Sequence, residues 1–64
     1  MLQLQHLDQN GDNLGGLYVK KEEIAAVYAK HHTGGSSSHY IVLRSGKEFR
    51  TVQTVAELLD LINS

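Results

Sequence analysis

The residues best suited to chemistry in this sequence lie in one loop, from His31 to His39, where a Gly-Gly pair precedes three serines. Two short strands can be joined by a much tighter turn, so a loop of this length invites a functional interpretation. The backbone N–H groups of the Gly-Gly-Ser run, the serine hydroxyls and neighbouring basic side chains could surround an anion such as phosphate. A flexible, solvated hairpin tip is the alternative interpretation. The predicted ligand-binding residues are Tyr28, Lys30, His32, Gly34, Gly35, Ser36, Ser37, Ser38, His39, Arg44 and Arg50.

Other chemistry in the chain is less complete. His32 and His39 would be cross-strand neighbours able to bind Zn²⁺ or Ni²⁺, but no cysteine and no nearby carboxylate completes the ligand set. The serines before His39 supply a hydroxyl and a base, yet no acid is placed to orient the imidazole. The run from Asp8 to Asp12 lacks the acid that ends a calcium loop, so we interpret it as an Asx turn. We predict no metal site, no cofactor and no enzymatic activity.

Length and charge limit the class of protein. With 64 residues and no cysteine, residues 1–64 form one domain with a thin core and no disulfide to reinforce it. A second chain is the nearest source of further buried area, so we expect a homo-oligomer. A net charge of -1 argues against a nucleic-acid partner and against a membrane surface. The N-terminus resembles no signal peptide, and we expect a cytoplasmic location.

The strands that must position the loop can be predicted from the pattern of apolar residues. Leu2 and Leu4 alternate with glutamines, which predicts a half-buried strand over 1–7. The run 40–43 is apolar on both faces and leads into a hairpin, and a two-residue turn at Ser45-Gly46 would place Val42 opposite Phe49. A three-residue bulged turn would shift that register by one. A single helix can cover only one face of the sheet. We therefore expect a partner chain or a second layer of structure to cover the other face.

The sequence predicts the C-terminal helix clearly but leaves the secondary structure of residues 20–32 open. Thr54 and Glu57 form a capping box, and an apolar stripe at helical spacing follows, which predicts a helix over 54–63 with Leu58 and Ile62 in the core. Residues 20–32 are good helix formers by propensity. They can equally be a turn at 20–23 after a short strand at 17–19, followed by a strand over 24–32.

The sequence also resembles the small FlbD-like family associated with bacterial flagella, over most of its length. The matching residues are Leu4, Leu7, Asp8, Gly11, Tyr18, Val19, Ile24, Val27, Ile41, Val42, Leu43, Ser45, Gly46, Lys47, Phe49, Val52, Thr54, Val55, Glu57 and Leu58. The resemblance implies a twisted antiparallel sheet with one C-terminal helix, a turn rather than a helix at 20–23, and a strand from Ile24 onward. Together with the residue patterns it predicts an α+β fold with strands near 1–7, 17–19, 24–32, 39–45 and 47–52. The loop 31–39 is longer and richer in Gly and Ser than the turn of that family.

These observations predict a non-catalytic, homo-oligomeric module that captures a small anionic, nucleotide-like ligand at the Gly/Ser loop. A phage-encoded sponge for a host signal would be one such protein. The alternative is a FlbD-like accessory that docks on a protein partner of the flagellum. The strand pattern also resembles the first half of a LytTR-type DNA-binding domain, but the balanced charge supplies few phosphate contacts.

Overall fold

A computed structural model of the chain describes residues 1–64 and confirms a small α+β domain. Five antiparallel strands form one sheet in the order β2-β1-β5-β4-β3, and one helix follows them. The elements are β1 (Leu2–Leu7), β2 (Asn13–Val19), a 3₁₀ turn (Lys21–Glu23), β3 (Ile24–His31), β4 (Ser37–Leu43), β5 (Glu48–Thr51) and α1 (Val55–Ile62). No helix in this fold has the length and apolar character that crossing a membrane requires.

Residues 20–32 form a 3₁₀ turn and a strand, so the helical alternative is wrong. β3 pairs with β4 along most of its length, and Ile24 and Val27 pack against the core. Arg44 holds the turn in place, since its backbone N–H donates to Glu23 O at 2.8 Å and its Nε donates to Glu22 O at 2.7 Å. Tertiary pairing therefore overrides the helical propensity of the segment.

The other strands lie where the sequence predicts them along the chain, but their first and last residues differ from the prediction. The prediction of 17–19 for β2 was too short, because the Gly-Gly pair before Leu17 looked like a turn. In the structure Gly15 and Gly16 pair with His6 and Gln5 of β1. The predicted Asx turn is confirmed: the N–H groups of Asn10 and Asp12 both donate to Asp8 Oδ1.

The β4–β5 hairpin contains the three-residue turn Arg44–Gly46, so the two-residue register is wrong. Leu43 N–H donates to Lys47 O at 2.7 Å, and Ile41 rather than Val42 lies opposite Phe49. Gly46 has φ of 95°, a left-handed conformation that glycine adopts without strain and that lets the turn take an extra residue. The shift places Ile41 and Phe49 on the face that packs against α1, and Tyr40 on the opposite, open face.

The core lies between the sheet and α1 and contains four fully enclosed apolar side chains: Leu4, Val19, Ile41 and Leu58. The predicted capping box is present, with Glu57 N–H donating to Thr54 Oγ1 at 3.2 Å. Leu58 is confirmed as a core residue, whereas Ile62, predicted with it, is only half-buried at the last turn of the helix. The helix thus adds essentially one side chain to the centre of the core.

Candidate functional site

The Gly/Ser loop closes on itself as the tip of the β3–β4 hairpin. His32 N–H donates to Ser36 O at 2.8 Å, and Gly35 N–H donates to His32 O at 3.3 Å. Gly34 and Gly35 have φ of 95° and 91°, which favours glycine at both positions. Because the Gly35 N–H is used within the turn, the predicted run of three free amides does not exist.

The serine hydroxyls of the hairpin are also engaged. Ser37 Oγ lies 2.9 Å from His31 Nδ1, and Ser38 Oγ lies 2.8 Å from His32 Nε2. Ser38 is only 3% exposed, so its hydroxyl faces the protein and not solvent. Ser37 and Ser38 therefore each satisfy a histidine across the hairpin; Ser36 and Ser37 are exposed, and only the Ser36 hydroxyl makes no such contact.

His39 has a structural role on the core side of the sheet. Its Nδ1 accepts a hydrogen bond from Val55 N–H at 3.1 Å, which satisfies a backbone donor in the first turn of α1. Its partner across β3 is Ala29, so the prediction that His32 and His39 are cross-strand neighbours is wrong. No group of three or more His, Cys, Asp or Glu side chains is arranged to hold a metal ion.

Arg44 is separated from the loop by the whole of β4. Seven strand residues lie between them, which corresponds to roughly 23 Å along the strand. Arg44 cannot contact an anion held at the Gly/Ser loop, and its guanidinium already binds the 3₁₀ turn. The predicted cooperation between the loop and Arg44 is therefore wrong.

The structure does bring the remaining predicted residues together on the open face of the sheet. Tyr28 pairs with Tyr40 across β3 and β4, and their rings stack with centroids 4.9 Å apart at an interplanar angle of 13°. Lys30 Nζ lies 5.4 Å from the centre of the Tyr40 ring, within the range of a cation–π contact. Arg50 lies opposite Tyr40 on β5. We call Tyr28, Lys30, Tyr40, Glu48 and Arg50 the tyrosine patch.

Two polar groups of the tyrosine patch have unusual surroundings. The Tyr28 hydroxyl donates to Glu48 Oε1, and this hydrogen bond to a carboxylate raises the pKa of Tyr28 to about 12. Arg50 is half-buried, and its Nε is enclosed without a hydrogen-bond partner. An enclosed donor of this kind costs about 1 to 3 kcal/mol when it is left unpaired.

Charge is distributed unevenly along the tyrosine patch. Lys30 pairs with Ser38 towards the Gly/Ser loop, whereas Glu48 pairs with Val42 towards the β4–β5 turn. The end near the loop is therefore cationic and the end near the turn is acidic. An anionic group is attracted to the first end and repelled from the second.

The concave parts of the surface lie elsewhere. Two grooves of ≈ 190 and ≈ 330 Å³ both border Met1 and Lys20, at the edge of the domain where β2 enters the 3₁₀ turn. Lysines and glutamates both line these grooves, so they offer no consistent attraction for a charged ligand. The tyrosine patch is flatter, but flat aromatic surfaces are what stacked rings require.

Sequence reasoning missed Tyr40 and Glu48. The two-residue turn would have placed Tyr40 opposite Thr51, out of line with Arg50. The three-residue turn Arg44–Gly46 shifts the register by one residue. This shift places Tyr40 opposite Arg50 and brings Glu48 within hydrogen-bonding reach of Tyr28. The three-residue alternative for this turn was the signal that would have found them.

Comparison with known proteins adds no family to this description. The chain matches no protein-family model. Neither the curated proteins nor the solved structures contain a significant match to it. The resemblance to the FlbD-like family stays a prediction.

Proposed function

We propose that this protein is a non-catalytic binding module that captures a small anionic, nucleotide-like molecule at the tyrosine patch. The observation that carries the proposal is the stacked pair of Tyr28 and Tyr40 with Lys30 above one ring and Arg50 beside it. Aromatic side chains supply a stacking surface for a base, and cationic side chains pair with phosphate. Both kinds of group converge on one face of a rigid sheet.

The charge pattern assigns a direction to the bound molecule. Its phosphate lies towards the end near the Gly/Ser loop, between Lys30, which supplies a mobile charge at that end, and Arg50, which offers a planar fork of donors beside Tyr40. The base lies beside Tyr28, where Glu48 accepts hydrogen bonds from amino groups.

The same geometry favours binding over catalysis. The two Ser–His contacts of the hairpin resemble half of a nucleophilic triad, but the Ser38 hydroxyl is enclosed and out of reach of a substrate. The tyrosine patch consists of a half-buried, stacked ring pair and charged side chains, which recognise a molecule without transforming it.

Isothermal titration calorimetry with nucleotides, dinucleotides and cyclic nucleotides tests the proposal. For a ligand that binds the wild type, Arg50→Gln should weaken binding about tenfold or more, as expected for the loss of a charge-assisted hydrogen bond. Lys47→Gln is the matched control, because it removes the same charge from the turn at the other end of the hairpin. Affinity should also fall as salt rises.

A second variant distinguishes binding at the tyrosine patch from binding at the Gly/Ser loop. Replacing Gly34 and Gly35 with alanine strains the hairpin tip but leaves the stacked rings unchanged, so binding should persist. If no ligand of the panel binds more tightly than about millimolar, or if Arg50→Gln binds as well as wild type, the proposal fails.

A further inference from the structure

β3 is an outer strand of the sheet with a free edge. It pairs only with β4, so half of its backbone N–H and C=O groups point away from the chain. The strand has eight residues, and its one irregularity lies at its start, between Ile24 and Ala26. The other outer strand, β2, carries two glycines and a register shift. Of the two outer strands, β3 therefore has the longer regular edge that is available to pair with another strand.

The strand itself carries nothing bulky or kinked at this edge, and α1 packs against β3. The chain has no proline, and the strand contains Ala25, Ala26 and Ala29, whose side chains are too small to obstruct an approaching backbone. Native proteins commonly protect a free edge with several charges or a bulge at its centre. The centre of β3, at Val27, has neither.

The charges at the two ends of β3 identify its partner. Glu22 and Glu23 precede the strand, and Lys30 and His31 end it. An antiparallel copy of the same strand places the acidic end of each copy beside the basic end of the other. A parallel copy would place like charges together. Val27 lies midway between Glu23 and His31, so pairing centred on Val27 places Glu23 of each copy opposite His31 of the other and one residue from its Lys30.

We propose that β3 pairs with β3 of a second copy in antiparallel orientation, centred on Val27, so that the two sheets become continuous in a two-fold dimer. This inference depends on the strand edge and its charges and not on the proposed ligand. It has one consequence for the tyrosine patch. Tyr28 faces the same side of both sheets, so the two patches become neighbours across the shared edge.

Sedimentation equilibrium at micromolar concentration tests the pairing. The wild type should be a dimer, and Glu23→Lys should raise the dimer dissociation constant about tenfold or more, because lysine then lies within one residue of Lys30 of the other copy at both symmetric ends. Lys30→Glu should do the same by placing glutamate within one residue of Glu23 of the other copy. The double variant Glu23→Lys/Lys30→Glu restores opposite charges and should regain the affinity of the wild type.

The control is the double variant Glu23→Lys/Lys47→Glu. It has the net charge of the wild type, but Lys47 lies outside β3, so this variant should not regain the dimer affinity. Hydrogen exchange should show added protection in 24–31 as the protein concentration rises. A monomer at every concentration, a dimer indifferent to the charge reversals, or concentration-dependent protection confined to β2 would each overturn the inference. Because ligand binding is measured separately, the dimer and the tyrosine patch can fail independently.

Discussion

Leu58→Ala should remove the main contribution of α1 to the core and destabilise the fold by about 2 to 5 kcal/mol. Leu58 is 0% exposed and packs in a cluster with only three other fully enclosed side chains, Leu4, Val19 and Ile41. A cluster this small has few neighbours that can move to fill the space left by three missing carbon atoms. Chains of this length have a total stability of about 3 to 10 kcal/mol, so the loss is a large share of it.

Urea denaturation followed by circular dichroism measures this change, with Leu59→Ala as the matched control. Leu59 is the next residue of the same helix but is 44% exposed, so the same substitution should cost about 1 kcal/mol or less. Leu58→Val provides a smaller perturbation if the alanine variant does not fold. Equal losses for Leu58→Ala and Leu59→Ala would refute the placement of α1 over the sheet.

Two further predictions concern polar contacts. In an absorbance titration, Glu48→Gln should allow one tyrosine to ionise at lower pH, because the carboxylate that raises the pKa of Tyr28 to about 12 is gone. Since this pKa is raised above its unfolded value, the contact stabilises the fold fully below about pH 10. The stabilisation is lost as the pH rises through the folded value. His39→Phe should cost about 1 to 3 kcal/mol in thermal or urea unfolding, because Val55 N–H loses its acceptor; a variant as stable as wild type would show that this hydrogen bond is unimportant.

The helix was the most predictable element because its signals are local. The capping box at Thr54 and the spacing that includes Leu58 lie within one short segment, and both are present in the structure. The strand after Lys20 could not be predicted as firmly. Its residues favour a helix by themselves, and only pairing with β4, a partner beyond the loop, makes the extended conformation more stable.

The site was harder to predict because neighbouring residues of a strand point to opposite faces. Ser38 and His39 were grouped in one loop site, yet β4 already includes both, and His39 faces the helix. Arg44 was grouped with them although the strand holds it far away. Tyr28, Lys30 and Arg50 were among the candidates and do lie together on one face, but their meeting point depends on the register that Gly46 sets.

The joint between β1 and β5 links two parts of the sheet whose other strand pairs are all local in the chain. Every other strand pair joins neighbours along the chain, whereas β1 and β5 share only the pairs His6–Thr51 and Leu7–Arg50. The contact is extended by Val52 N–H donating to Gln5 O at 2.9 Å and by Gln5 N–H donating to Gln53 Oε1 at 3.0 Å. Closing it brings together residues from near the two ends of the chain, which is the largest entropic step of folding. The β1–β2 hairpin and the β3–β4–β5 meander are each built from local pairings, but they share one core, to which β1 and β2 contribute Leu4 and Val19 and β4 contributes Ile41. Opening the joint would expose that core, so we expect the two parts to unfold together.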